Sequence, residues 1–495
     1  MKKIPAITYV LLPLGALGSL LMAWLTPRGV GIYVDTLYYV SSARNLLAGI
    51  GMGRVTGLGD FKPMTHYPPF YSLFLAFFRL LGLHELTTAR WVSILAFGLI
   101  IVLVGLLIYQ RTNSWFFSLF SAVLVLLSNP LLRNLSWAMT EPMYIVLMLS
   151  GILILMAYLG NHQRRWLVLA AVSASLALLT RYVGFSLVGA FFLVLLLDRR
   201  FPIRRRLADV AILLSITLIP TLAWLVRNWL VSDTLTNRIL AWHPISAENI
   251  SFLIKAVNSW GLIPQRLLAG NDGLALGLLF LLAAGSLLWL WRTFPKPGKS
   301  PASEVVILLA GWLYVALLFA SLFSLDATTR LENRILLPLY LLILLLIIIG
   351  LAGLWHHKTL LTRIPVVLIC LWLVYFSVTR VDGAIADLRA DGQGYASLRW
   401  QASPTANFIR QQDLSLIYTN DVTAIYFVAG EDSVGIPNAS ATETDLDRMR
   451  LDLERPGSFL VIFGALTGEF APFERLTRDL ASVAEFEDGQ VFQNR

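Results

Sequence analysis

The chain has 495 residues, of which 57% are apolar and only 14% charged, with a mean hydropathy of +0.70; this balance excludes an ordinary soluble domain and indicates a membrane protein. The net charge of +9 comes from Arg and Lys clustered in short loops between apolar runs, the pattern of topology signals rather than of a nucleic-acid surface. The single cysteine, Cys370 inside an apolar run, excludes an intramolecular disulfide framework and shows no metal-ligand spacing.

The opening, MKKIPAITYVLLPLGALGSLLMAWLTP, has a basic front and an apolar stretch but no A-x-A-like cleavage site, so it reads as an uncleaved first span at 6–25. GIYVDTLYYVSSARNLLAG, residues 31–49, follows directly. At helical spacing Thr36, Leu37, Val40, Ala43, Leu46, Leu47 and Ile50 share one face, and Asp35, Ser42 and Asn45 another. This predicts an amphipathic helix lying on the bilayer with Asp35 near its N-terminus. An N-cap acid with no chemical role fits that position as well as a reactive one does.

GMGRVTGLGD at 51 is glycine-rich, but no Gly-Lys-Ser/Thr follows and no strand-to-helix frame surrounds it, so a loop is expected rather than a nucleotide cradle. YPPFYSLFLAFFRLLG, 67–82, is short, opens with two prolines and carries Arg79, which predicts an interfacial or half-inserted helix. HELTT at 84 lacks the second histidine of a zinc helix.

Further apolar runs lie at 88–110, 115–131, 141–159, 166–180, 183–197, 207–226, 272–291, 303–324, 335–353 and 362–379, which makes about eleven crossings in all. The basic loops NHQRRW at 161, DRRFPIRRR at 198, WRTFPKPGK at 291 and WHHKTLLTR at 355 are expected on the cytoplasmic side with the N-terminus. A rival count makes 67–82 a span and fuses 166–197 into one helix, which would bury Arg181 in mid-membrane at about 2.5–3.5 kcal/mol or more. On the first count 26–87, 132–140, 227–271 and DATTRLEN at 326 share the other side with the tail.

That tail has an ordinary soluble composition, so two units are expected: a membrane domain, 1–380, and an extracytoplasmic domain, 381–495. LSLIYTN at 414 and SFLVIFGAL at 458 read as strands and TDLDRMRLDLE at 444 as a helix, which together predict a small α/β domain acting as a lid or acceptor-binding module. DLD at 445 has a metal-holding spacing but sits on a charged helical stretch, better read as a solvated face. No internal repeat supports an inverted-repeat transporter.

YVDTLYYVSSARNLLAG, then HYPPFYSLFLA, RNLSWAMTEPMYIVL and TTRLENRILLPLYLLI, in that order and on one side, resemble the GT-C superfamily of membrane glycosyltransferases, with the protein O-mannosyltransferases and lipid A aminoarabinose transferases as the nearest likeness. The resemblance spans about residues 1–380. It implies an α-helical polytopic fold with interfacial helices in the first external loop. It also implies transfer of a sugar from a polyprenyl-phosphate carrier, with inversion, to an acceptor hydroxyl at the extracytoplasmic face of the cell membrane. The acceptor class, whether protein, lipid or polysaccharide, stays open. The family's first acid maps to Asp35 and a second to Glu141.

A one-step displacement needs a base beside the acceptor hydroxyl, and Asp35 is the candidate. The lipid phosphate leaves best beside cations, which suits Arg330 and Arg334, although arginines beside a span also snorkel to headgroups. Arg181 is a further candidate, with a structural role in the loop turn as its alternative. Glu141 in MTEPMY would orient the acceptor or share a divalent cation with Asp35, or simply complement a helix dipole after Thr140 and Pro142. The family often has Asp-Glu where this chain has Asp35-Thr36, which weakens a metal role. The aminoarabinose branch has a lysine where Tyr67 stands here, with Lys62 or His66 as substitutes, or as a surface lysine and a headgroup-facing histidine. The loop RNWLVSDTLTNRILAWHPIS from 227 is expected to cover the site, with Arg227, Arg238 and His243 as contacts or as interfacial anchors. Two other classes remain: a transporter or flippase of a polar lipid, and a non-catalytic member of the same fold.

Overall fold

The computed structural model describes residues 5–238, 240–261, 272–293, 301–325, 329–357 and 359–495. The principal helices of the membrane unit are α1 (Thr8–Leu25), α2 (Val34–Leu47), α3 (Phe70–Leu80), α4 (Glu85–Thr112), α5 (Trp115–Leu126), α6 (Asn129–Leu135), α7 (Glu141–Asn161), α8 (Arg164–Thr180), α9 (Phe185–Leu197), α10 (Ile203–Ser232), α11 (Ala247–Ser259), α12 (Asp272–Thr293), α13 (Ser303–Ser324), α14 (Asn333–His356) and α15 (Leu360–Ala390). Every predicted span is built from helix where described, with 115–131 broken at Leu127 and Ser128. Among the described residues eight helices are long and apolar enough to cross a membrane, and α5 with α6 makes a ninth if a 52° bend is one span. The helices α8 and α9 are the shorter remainder of the eleven expected crossings.

The chain's passage at Arg181 is clear from what each helix end touches. The Arg181 guanidinium donates to Thr140 Oγ1 at 3.0 Å, at the start of α7. At the far end of α7, Arg200 donates to the Leu159 carbonyl at 3.1 Å and Arg205 to that of His162 at 3.4 Å. So α7, α8 and α9 run the same depth in alternating directions, and a fused 166–197 helix does not form. The break is Arg181 itself, in extended backbone, followed by a 3-10 turn at Tyr182–Gly184. Gly184 permits the tight return, because a Cβ there would lie 2.5 Å from Leu178 Cα.

Residues 67–82 do not cross. Tyr67, just before α3, bonds Asp35 at the start of α2, while Arg79 near its far end pairs at 2.8 Å with Glu85, the first residue of α4. Both ends of α3 thus lie at one end of the bundle, and Leu73, Phe77, Leu80 and Leu81 are left exposed as on a surface-lying helix. The glycine-rich stretch forms a small hairpin, β1 (Gly53–Val55) against β2 (Phe61–Pro63). Within the bundle α1 and α4 meet through small residues; a Cβ on Gly98 would lie 2.5 Å from the Gly15 carbonyl.

Helix α15 continues to Ala390, so the expected domain boundary at 380/381 falls inside it. Beyond it stands a five-stranded sheet of β3 (Leu416–Thr419), β4 (Val434–Gly435), β5 (Ser458–Phe463), β6 (Leu480–Phe486) and β7 (Gly489–Asn494), in the order β4-β3-β5-β7-β6. The pairs β3·β4 and β3·β5 are parallel; β5·β7 and β6·β7 are antiparallel. Helix α16 (Glu443–Leu453) starts with a Thr442/Asp445 capping box and packs Leu446, Met449 and Leu453 against Tyr418, Leu460 and Ile462. Asp445 is therefore a cap and Asp447 pairs with Arg450 at 2.7 Å, so the DLD run is a solvated helix start.

Candidate functional site

The two acids are brought to one place by a short piece of backbone. Gly31 N–H donates to the Ser136 carbonyl at 2.8 Å and Ala138 N–H to the Gly31 carbonyl at 2.8 Å, a parallel bridge between Gly31 and Trp137. Asp35 and Glu141 each lie four residues beyond that bridge, in the first turns of α2 and α7. The N-cap of α2 is Tyr33, not Asp35. Thr36 does the local capping: its Oγ1 accepts from the Tyr33 N–H at 3.0 Å and donates to the Ala138 carbonyl at 3.1 Å. The threonine after the acid thus ties the first loop to the segment leading into α7, and leaves the Asp35 carboxylate outside the capping.

The Asp35 carboxylate is held by two donors. Tyr67 hydroxyl donates to Oδ1 at 2.8 Å, and Arg334 Nη1 to Oδ2 at 3.1 Å. Burial, and then the neighbouring Asp35, push the Tyr67 phenol well above its usual range, so it stays protonated and donates to the carboxylate. Arg334 also approaches Glu141, with Nε 3.8 Å from Oε1, and Arg181 Nη1 contacts the same oxygen. The Tyr33 ring lies 4.7 Å from the Arg334 guanidinium. Two carboxylates and two guanidiniums alternate here. A charge buried this deeply is tolerated only when paired, which accounts for the inward turn of both arginines.

This cluster forms the polar end of a cavity of about 720 Å³. Asp35, His66, Tyr67, Arg181, Arg238, Arg330 and Arg334 all line it, together with Tyr33, Tyr39, Thr140, Tyr314 and Glu332. Phe185, Leu225, Leu317, Leu318 and Ile335 form an apolar part of its wall, and Thr180, Thr236, Ser321, Ser324 and Thr329 add hydroxyls to the rest. Arg330 is exposed and lies 5.3 Å from the Phe252 ring of α11, whereas Arg334 is inside.

Four sequence expectations are placed elsewhere. Glu141 does not line the cavity; its side chain is 0% exposed and lies beneath Arg181 and Arg334, so it reaches neither an acceptor nor a cation shared with Asp35. Lys62 is exposed on β2, away from the cavity. Arg227 is engaged by the Met64 and Met52 carbonyls at 2.8 and 2.9 Å and so anchors the first loop. His243 meets α13 through its backbone, donating to the Phe323 carbonyl at 2.8 Å. Of the basic WRTFPKPGK loop, residues 294–299 lie outside the described residues, as do 326–328 of DATTRLEN, 358 of WHHKTLLTR and 239 of the covering loop.

The described residues form no ready-made divalent-cation site. Among the described residues no group of three or more His, Cys, Asp and Glu side chains gathers to hold a metal, and the carboxylates of Asp35 and Glu141 are already engaged by guanidiniums that a cation would have to displace.

Sequence reasoning missed Tyr33, Tyr39 and Glu332, which sit inside the quoted motifs but were not singled out there, and Tyr314, which sits in an apolar run with no local motif. It also missed a second buried acid. Glu85 is 0% exposed and paired with Arg44 at 3.0 Å and Arg79 at 2.8 Å, which locks α2 and α3 to the start of α4. His84 of HELTT caps that helix, its Nδ1 accepting from the Leu86 N–H at 3.2 Å.

Comparison with known proteins agrees with this architecture. Residues 66–224 match the family model described as dolichyl-phosphate-mannose-protein mannosyltransferase. No curated protein sequence matches the chain. Among solved structures, ArnT from Cupriavidus metallidurans bound to undecaprenyl phosphate is similar with a TM-score of 0.60 at 15% identity, over 98% of this chain and 98% of that one. The archaeal oligosaccharyltransferase AglB from Archaeoglobus fulgidus, in complex with an inhibitory peptide and a dolichol-phosphate, gives a TM-score of 0.53 at 12% identity over 92% and 69%. The mycobacterial arabinofuranosyltransferase AftD gives 0.51 at 14%, over 98% of this chain and 40% of that chain. The chain is a multi-span membrane protein with the GT-C fold of these glycosyltransferases, carrying a small C-terminal sheet domain.

Proposed function

We propose that the chain is an inverting glycosyltransferase that moves a sugar from a polyprenyl-phosphate carrier to an acceptor hydroxyl, with the end of the bundle bearing Asp35 facing away from the cytoplasm. One observation carries the reading: a single cavity combines a carboxylate held only by donors, four arginines and an apolar wall. A lipid-linked sugar phosphate has that composition, with an anionic centre between an isoprenoid chain and a hydroxyl-rich ring.

In this reading Asp35 is the catalytic base. Tyr67 and Arg334 fix the carboxylate while leaving it lone pairs to accept the acceptor O–H. The acceptor oxygen attacks the anomeric carbon, its proton passes to Asp35, and the bond from the anomeric carbon to the phosphate oxygen breaks with its electrons going to the phosphate. Arg330 and Arg238 at the mouth, with the outer faces of Arg181 and Arg334, offset the charge that grows on that leaving phosphate. Phe185, Leu225, Leu317 and Leu318 receive the first isoprene units. Glu141 is a positioning residue that holds Arg181 and Arg334 at the site.

The collection of these groups at one end of the bundle, rather than along the spans, favours transfer over transport. The test is a transfer assay with labelled polyprenyl-phosphate sugars on membranes that contain the protein. Product that depends on Asp35 supports the reading; carrier movement across the bilayer without sugar transfer refutes it.

A further inference from the structure

The tail sheet is doubly wound around a gap that the reaction described above does not use. The chain leaving β3 enters a helical turn at residues 422–429, whose Ala424 and Ile425 pack with Ile417, Phe459 and Val461 on one face of the sheet. The chain leaving β5 goes to the opposite face, where Ala471 and Leu476 pack with Leu416, Tyr418, Leu460 and Ile462. Between the carboxyl ends of these two parallel neighbours the connections diverge, and in open α/β sheets such a divergence leaves the crevice where ligands bind. Asn420 holds the crevice floor, its amide exchanging two hydrogen bonds with the Phe463 backbone, both at 2.8 Å.

A cavity of about 130 Å³ lies here, lined by Arg399, Trp400, Asp421, Phe463, Gly464 and Asp488. At roughly 30 Å³ per water it has room for about four waters or one ring-sized group. Its walls combine aromatic surface with two carboxylates and one exposed arginine. Each carboxylate is oriented by neighbours yet keeps acceptor capacity. Asp421 Oδ1 takes the Ala424 N–H at 2.9 Å, and the Tyr395 hydroxyl is shared between Oδ1 at 2.9 Å and Oδ2 at 2.8 Å. Asp488 Oδ1 takes the Thr405 hydroxyl at 2.6 Å and the Thr405 N–H at 3.2 Å, and Oδ2 takes the Ser403 hydroxyl. On each residue Oδ2, with one hydroxyl bonded to it, can accept another.

Two carboxylates beside one arginine disfavour a phosphate or a second acid. The O–H and N–H donors already aimed at both carboxylates present positive hydrogens there and disfavour a bare cation. A neutral ring with apolar faces and several hydroxyl donors matches both the aromatic wall and the open acceptors.

The crevice is also tied to the main cavity. Tyr395, which donates to Asp421, donates its backbone N–H to the Ile32 carbonyl at 3.1 Å, and the next residue, Tyr33, lines the main cavity. We propose that this crevice is a saccharide-binding subsite that holds a sugar ring of a glycan-bearing acceptor. Its assignment to the acceptor rests on the transferase reading above; the binding of a sugar ring does not.

The test uses the full chain in lipid nanodiscs and saturation-transfer NMR with the methyl glycosides of glucose, mannose and galactose as probes. At least one glycoside is expected to receive saturation on its ring protons, and the effect should fall about tenfold in Trp400→Leu and severalfold in Arg399→Ala. Arg399 is exposed, so its variant keeps the test valid if loss of Trp400 disturbs folding. No saturation for any of the three probes, or a signal unchanged in Arg399→Ala, overturns the subsite. A protein that binds a glycoside through Trp400 and Arg399 yet transfers no sugar refutes the transferase reading and keeps the subsite.

Discussion

Arg334 donates to the Asp35 carboxylate at 3.1 Å across 299 residues of sequence, joining the first turn of α2 to the first turn of α14. The pair closes the polar end of the cavity. Around it the molecule keeps opposite charges in contact at the end of the bundle and leaves the apolar wall to the interior.

If Asp35 is the base, Asp35→Asn keeps the shape of the side chain and removes its ability to take a proton. Sugar transfer should fall by about 10²–10⁴-fold, with expression kept and a smaller drop in melting temperature than Glu141→Gln gives, because Asp35 is partly exposed and Arg334 keeps Glu141 as a partner. A rate assay with labelled carrier, set beside a melting curve in detergent, checks both halves.

Glu141→Gln should act differently. It leaves Arg181 and Arg334 facing one carboxylate instead of two, and removing one partner of a buried pair costs about 3–5 kcal/mol. The melting temperature is expected to drop markedly, with activity lost in parallel. Loss of transfer at unchanged stability would instead indicate that Glu141 meets the substrate.

Arg330 and Lys62 separate phosphate recognition from surface charge. Arg330 lines the cavity mouth and Lys62 does not. Arg330→Ala should raise the KM for the lipid-linked donor about tenfold while changing kcat little, and Lys62→Ala should change neither, as steady-state kinetics on both variants would reveal.

In the tail, burial is the main cause that raises the Asp421 carboxyl above its ordinary 3.8, against the bonds it accepts. The folded chain therefore holds that proton more tightly than the unfolded chain does. The stabilising contribution is present at low pH and is lost as pH rises through the window that opens at 3.8. Asp421→Asn can still cap the following turn but carries no charge. Its melting temperature relative to wild type should rise between about pH 4 and pH 7, whereas a constant difference would mean that ionisation at this position costs nothing.

Much of this molecule was legible in the chain because the bilayer imposes strong rules. Long apolar runs have to be helices, since no water is present to satisfy the backbone. The interfacial character of 67–82 followed from its two prolines, its length and Arg79. Elements without such pressure were missed. Helix α11 is short and of mixed polarity, and the β6–β7 hairpin pairs two strands with ordinary soluble patterns, so their identity came from neighbours rather than from local sequence.

The residue types of the site were likewise visible, but their partners were not. Asp35, Tyr67, Arg181 and Arg334 could be named from spacing and resemblance. That Glu141 lies beneath the guanidiniums, that Thr36 bonds the Ala138 carbonyl, and that Arg227 serves the first loop depended on contacts spanning scores of residues.

Hydropathy and charge alone determined that the chain is a helical membrane protein with a soluble tail, and which acids lie next to its spans. Only the packed structure decided which acid faces the cavity and which is buried, because the energy of a charge depends on the groups that replace its water, and those come from the whole fold.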